Sequence, residues 1–66
     1  MKLTVNGEAR EVAEGLTVEG LAVELGLDTR KVAVERNLEI VPKSTYADQP
    51  LSQGDRIEIV QFVGGG

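Results

Sequence analysis

The 66-residue chain has no cysteine and no histidine. Without cysteine there is no disulfide framework, no thiolate zinc site and no redox chemistry of its own. Without histidine the commonest general acid/base and the commonest metal ligand are both missing. No catalytic residue and no metal ligand is therefore expected, and the chain reads as a non-enzyme that holds no cofactor. Basic residues are also scarce: 7 Lys and Arg stand against 11 Asp and Glu, for a net charge of −4. Phosphate binding wants a basic stripe, so this balance argues against nucleic acid as a partner. It argues equally against an anionic membrane surface. No apolar run approaches the roughly 20 residues of a membrane span. Met1-Lys2-Leu3-Thr4 begins a strand pattern and not a signal peptide, so a cytoplasmic location is expected. A chain of this length makes one domain and buries only about 60% of its unfolded surface, which allows one thin core and no deep cleft.

What is present alternates between strand and helix signals. Leu3 and Val5 alternate with Lys2, Thr4 and Asn6, as in a half-buried strand. Asn6-Gly7 is a strong hairpin signal, because a type I′ turn needs φ > 0 at both central residues. A second strand follows from Glu8 to Ala13, with Val12 as its one clear core residue. Thr17 is a good N-cap, and Glu19 sits in the first turn, where the helix dipole favours a negative charge. Val18, Leu21, Ala22 and Leu25 form one apolar stripe, and Gly26 stands where a C′ glycine belongs. Gly20, costly inside a helix, is expected to allow a close approach of helix to sheet. Val32 and Val34 mark a third strand. Asn37-Leu38 reads as a turn wider than two residues, because leucine is poor at φ > 0. Ile40-Val41-Pro42 is a short edge strand. Ser44 to Pro50 is polar, a loop with one helical turn near Thr45 to Asp48. Gly54-Asp55 turns the chain into a last strand, Arg56 to Val63, placed centrally, beside the first and parallel to it. The expected class is α+β: a mixed sheet of four to five strands with one main helix packed on one face. Leu3, Val5, Leu21, Leu25, Val32, Val34, Ile57 and Ile59 are the expected core.

The last strand is apolar on both faces. Ile57 and Ile59 share one parity, Val60 and Phe62 the other. A sheet with one helix has one covered face, so Val60 and Phe62 are expected on the open one, as a partner-docking patch. Arg56, Glu35, Glu39 and Glu58 are candidates for its polar rim. Gly64-Gly65-Gly66 follows. Glycine loses more conformational freedom on ordering than any other residue. The triplet is either a frayed or added terminus or a thin string carrying a free carboxylate at Gly66. The division expected is a domain over residues 1–63 and a tail over residues 64–66.

Several segments together resemble one family. They are Val5-Asn6-Gly7-Glu8, Val32-Ala33-Val34-Glu35-Arg36-Asn37, Ile40-Val41-Pro42-Lys43-Ser44-Thr45-Tyr46, and the run from Leu51-Ser52-Gln53-Gly54-Asp55 through Phe62-Val63-Gly64-Gly65-Gly66. The chain resembles the ThiS family, the ubiquitin-like β-grasp sulfur carriers of thiamine thiazole biosynthesis. It departs at Asn37-Leu38, where that family often has Asn-Gly. The resemblance implies that Gly66 is adenylated and converted to a thiocarboxylate, with Gly64 and Gly65 as the tail that threads it into partner sites. It implies an E1-like, ThiF-type adenylating enzyme that uses ATP, a ThiG-type thiazole synthase and a sulfur donor protein as partners. The free carrier is expected to be a monomer. The small subunit of molybdopterin synthase shares the fold and the diglycine end, but tends to carry prolines where this chain has Phe62-Val63. A non-covalent β-grasp interaction module is the other alternative.

Overall fold

The computed structural model describes residues 1–62. Five strands form one sheet: β1 (Lys2–Val5), β2 (Glu8–Glu11), β3 (Val32–Arg36), β4 (Glu39–Val41) and β5 (Arg56–Gln61). Their spatial order is β2-β1-β5-β3-β4. β5 is therefore central, parallel to β1 and antiparallel to β3. The other two neighbouring pairs are antiparallel hairpins. The helix α1 (Val18–Glu24) connects the hairpin β1–β2 to β3.

Local chemistry sets most of the boundaries. Asn6 and Gly7 take φ of 49° and 83°, as a two-residue hairpin turn requires. β2 ends at Glu11, two residues before the expected Ala13. Val12 is nonetheless buried, and its N–H donates to Met1 O at 2.8 Å. Thr17 caps α1: its hydroxyl oxygen accepts from Gly20 N–H at 3.1 Å. Gly26, at φ 76°, ends the helix. At Gly20 the three nearest neighbours of an added Cβ belong to Leu16 and Thr17 and not to the sheet. A Cβ there would meet Leu16 Cδ1 at 2.8 Å, so the glycine makes room for a neighbouring leucine.

The Asn37-Leu38 turn differs from the sequence expectation. Arg36 pairs with Glu39, so the turn has two residues and not more. Leu38 takes φ 70°, a conformation leucine disfavours. Asn37 is locked by a polar clasp: its Nδ2 donates to Asp55 Oδ1 at 3.0 Å, and its Oδ1 accepts from Arg56 N–H at 2.9 Å. The clasp fixes the turn, and Leu38 takes the remaining position. In the following loop a 3₁₀ turn forms at Lys43–Thr45, and the expected turn at Thr45 to Asp48 follows it, closed by Asp48 N–H donating to Thr45 O at 2.9 Å. The last strand stops at Gln61, short of the expected Val63, which lies outside the described residues.

One core lies between the sheet and α1. Leu3, Val5, Leu21, Val32, Val34 and Ile57 are buried as expected, while Leu25 and Ile59 are only partly buried and pack against that core. Tyr46, from the Ser44 to Pro50 loop that reads as polar, and Leu51 just after it join the core, as do Val12, Val18 and Val41. Tyr46 is tolerated there because its hydroxyl donates to Val32 O at 3.1 Å. The helix covers one face of the sheet.

Candidate functional site

The uncovered face of the sheet is built by strand alternation. Ile57 points into the core, so Arg56, Glu58 and Val60 point the other way. Register then names their neighbours. Val60 lies opposite Ala33, Glu58 opposite Glu35, and Glu35 in turn opposite Ile40 of β4. Directly opposed residues share a face. Val60 is 60% exposed and Ile40 76% exposed. Two rows thus run side by side: Glu58, Glu35 and Ile40 across β5, β3 and β4, and Val60 with Ala33 across β5 and β3.

Phe62 continues this line just past β5. Its N–H donates to Lys31 O at 2.8 Å, which carries the β3–β5 ladder one step beyond the strand. The residue is 41% exposed, and Lys43 Nζ sits 5.2 Å from the ring centroid. That is cation–π distance. Lys43 Nζ also donates to Arg30 O at 2.8 Å, which fixes the ammonium there. The expected patch residues Val60 and Phe62 are therefore exposed at the end of the central strand, next to residue 63. Gly64, Gly65 and Gly66 lie outside the described residues.

Of the four expected rim residues, three share this face. Arg56 and Glu58 have the parity of Val60, and Glu35 is paired with Glu58. Glu39 does not belong: it pairs with Arg36 and shares the parity of buried Val41, which puts it on the helix side. Ile40 and Ala33 belong to the face and were not singled out as patch residues. The period-2 pattern of β3 carried the signal for Ala33. Nothing local marked Ile40, because its placement depends on the register of β4.

The start of β5 is held by Asp55, the one buried charged residue among those described. Its carboxylate accepts from Arg36 Nε at 2.7 Å, Asn37 Nδ2 at 3.0 Å and Ser52 N–H at 2.8 Å. Burial pushes this carboxyl up. The hydrogen bonds from Asn37, Ser52 and Arg36, with the guanidinium charge, outweigh it and hold the group below its ordinary value. At the other end of the pairing, Asn6 acts as a backbone mimic. Its Oδ1 accepts from Ile59 N–H at 2.7 Å and its Nδ2 donates to Ile59 O at 3.3 Å. β5 is thus gripped at its start and middle, which fixes where Val60 and Phe62 emerge.

Among the described residues, no group of three or more Asp, Glu, His or Cys could hold a metal ion, and no helix is long and apolar enough to cross a membrane. The face is open, with Val60, Phe62 and Ile40 exposed on it.

Comparison with known proteins agrees with this geometry. The family model described as the ThiS family matches residues 3–66. A thiazole synthase of Paramagnetospirillum magneticum is 62% identical over the whole chain, and the chain spans 20% of that protein's length. The sulfur carrier protein ThiS of Bacillus subtilis is 46% identical over 50 residues, 76% of each chain. The crystal structure of the thiamine biosynthesis protein ThiS from Geobacter metallireducens superposes with a TM-score of 0.85 at 36% identity, covering 100% of both chains. The five-stranded mixed sheet with one helix is accordingly the ubiquitin-like β-grasp of those carriers. The chain belongs to the ThiS family.

Proposed function

We propose that this chain is a sulfur carrier that delivers sulfur for thiazole formation in thiamine biosynthesis. The observation that carries the reading is the extent of the family match, which runs through the glycines to residue 66. Relatives named as sulfur carrier proteins and as thiazole synthases support the same pathway.

The chemistry follows from what a carboxylate lacks. A C-terminal carboxyl has a pKa near about 3.5, so it is ionised and a poor electrophile at neutral pH. An E1-like adenylating enzyme joins the Gly66 carboxylate to AMP from ATP and releases pyrophosphate. The acyl adenylate has a good leaving group. The chain has no cysteine, so sulfur comes from outside. The terminal sulfur of a donor protein's persulfide attacks the acyl carbon, and AMP leaves. A second thiol then cleaves the resulting sulfur–sulfur bond, is oxidised with it to a disulfide, and frees the thiocarboxylate for thiazole synthase. The chain is a co-substrate in this sequence and supplies no catalytic group. ATP is consumed by the partner in the cytoplasm.

Glycines suit the threading step. Three extended residues reach roughly 10 Å, with no side chain to widen the string. Val60 and Phe62, exposed where β5 leaves the sheet, dock the adenylating enzyme and aim the tail.

The test is intact mass after incubation with ATP, the adenylating enzyme and a sulfur source. The expected result is the gain for one oxygen replaced by one sulfur, located at Gly66. An unchanged mass, with the enzyme active on another ThiS protein, overturns the reading.

A further inference from the structure

The Asn6 side chain is tied into the sheet beyond what its turn requires. β1 pairs with β5 at two register positions, Thr4 with Arg56 and Val5 with Ile57. The chain then leaves for β2 through the turn, with Asn6 at φ 49°. Asn6 N–H still donates to Ile57 O at 2.8 Å. A parallel ladder carried one step further would send Ile59 N–H to a backbone carbonyl on the β1 side. The Asn6 side chain stands in for that missing strand. Its Oδ1 accepts from Ile59 N–H at 2.7 Å, and its Nδ2 donates to Ile59 O at 3.3 Å. On the opposite flank the β3 ladder runs on to Gln61, and Phe62 N–H donates to Lys31 O at 2.8 Å. The turn alone does not ask for asparagine, since glycine and aspartate also tolerate φ > 0. Of the three, only asparagine carries both the donor and the acceptor of a peptide group.

We infer that Asn6 is a positioning residue for sulfur loading: it holds Ile59 from the β1 side, so that the end of β5 presents the chain beyond residue 62 in one direction. The inference rests on the carrier reading above and goes beyond it by giving a part in the reaction to a hairpin residue 53 positions away in sequence from its contact. Asn6 touches no reacting atom and acts through β5. With Asn6 removed, the end of β5 is held from β3 alone and can pivot about that ladder. Val60 and Phe62 keep their β3-side contacts, so docking persists while the aim of the tail degrades. A reacting group misplaced by about 1 Å loses on the order of a hundredfold in rate. Glycine's conformational freedom absorbs part of such an error, so a smaller loss is expected.

The experiment uses the full chain with the adenylating enzyme, ATP and the sulfur source. Pyrophosphate release against carrier concentration gives kcat and KM. Wild type, Asn6→Gly, Asn6→Asp and the control Thr17→Ala are compared per folded molecule. Asn6→Gly keeps the turn and deletes both bonds to Ile59; its kcat should fall about tenfold, with KM near the wild-type value. Asn6→Asp keeps the acceptor for Ile59 N–H and should recover part of the rate. Thr17→Ala weakens α1, leaves β5 alone and should match wild type. Amide hydrogen exchange of the free chains is the second readout. In Asn6→Gly, Ile59 and Phe62 N–H should exchange faster relative to Thr4 N–H, which donates to Asp55 O at the start of the same pairing. A wild-type kcat or a wild-type exchange ratio in Asn6→Gly overturns the inference, and wild-type sulfur gain leaves the carrier reading standing. An equal loss of rate in Thr17→Ala, or a rise in KM as large as the fall in kcat, overturns it in favour of a structural or a docking role. A wild type that gains no sulfur, with the enzyme active on another ThiS protein, overturns both.

Discussion

Leu38 is a residue held against its own preference. It is 78% exposed at φ 70°, so the backbone strain is not offset by packing. Leu38→Gly should therefore stabilise the protein by up to about 1 kcal/mol, seen as a higher denaturant midpoint with an unchanged slope. A lower midpoint would mean that the side chain makes a contact that outweighs the strain. Asp55 is the opposite case, a residue that many partners favour. Its folded carboxyl titrates below the ordinary 3.8, so its contribution is present above that value and is lost as pH falls through the lower folded one. Asp55→Asn should cost about 1–3 kcal/mol near neutral pH, and its stability should vary less than that of wild type as the solution is acidified below about pH 4. Equal acid profiles would assign the acid sensitivity to other carboxylates. These two residues also mark where reading the sequence succeeds and fails. Gly-Asp before the last strand was legible as a turn. That Asp55 reaches across to Arg36 and Asn37, and so closes the 37–38 turn at two residues, depends on contacts 18 and 19 residues away in sequence. No local propensity contains them.

At the scale of elements, α1 owes its start to Thr17 and its anchorage to Leu21. Thr17→Ala removes the acceptor for Gly20 N–H and should cost about 1 kcal/mol. Leu21→Ala truncates a fully buried side chain and should cost about 2–5 kcal/mol, enough to unfold much of so small a domain. Thermal unfolding followed by far-UV circular dichroism checks both, and similar losses for the two would contradict the ranking. The helix was legible because capping, stripe and C′ glycine all agreed. The Ser44 to Pro50 segment was not. Its polar composition hid Tyr46, and nothing local marked Leu51 beside it; the isolated Thr17–Pro50 bridge and the Tyr46 hydroxyl bond to β3 hold them in place. For the candidate face, the parity of β5 was legible and gave Val60 and Phe62. The opposition of Glu35 to Glu58 and the exclusion of Glu39 needed the register of β3 against both neighbours.

For the whole molecule, the proposed function divides the work between body and tail, and two changes test that division. Phe62→Ala should weaken association with the adenylating enzyme by more than about 1 kcal/mol while leaving the fold intact. A mutant that melts instead, and binds normally per folded molecule, would make Phe62 a structural residue. Deleting Gly66 shortens the reach by about 3.5 Å. The core cluster runs from Leu3 to Ile57, so the body should still fold. Thiocarboxylate formation should fail, because a reacting group misplaced by about 1 Å already costs on the order of a hundredfold in rate. Sulfur gain at the wild-type rate by the deletion variant would refute the tail mechanism. The position of β5 has one further consequence, for synthesis. The sheet is completed by its last strand, and the contacts that place it, such as Asn6 to Ile59, join residues 53 apart in sequence. Such long-range closure is slow to form, on the order of milliseconds or more in mixed and β-rich folds. A nascent chain has nothing to fold around until residues 56–61 are free. A chain interrupted or clipped earlier lacks its central strand and stays open to proteases. Being folded is thus a certificate that translation has passed residues 56–61.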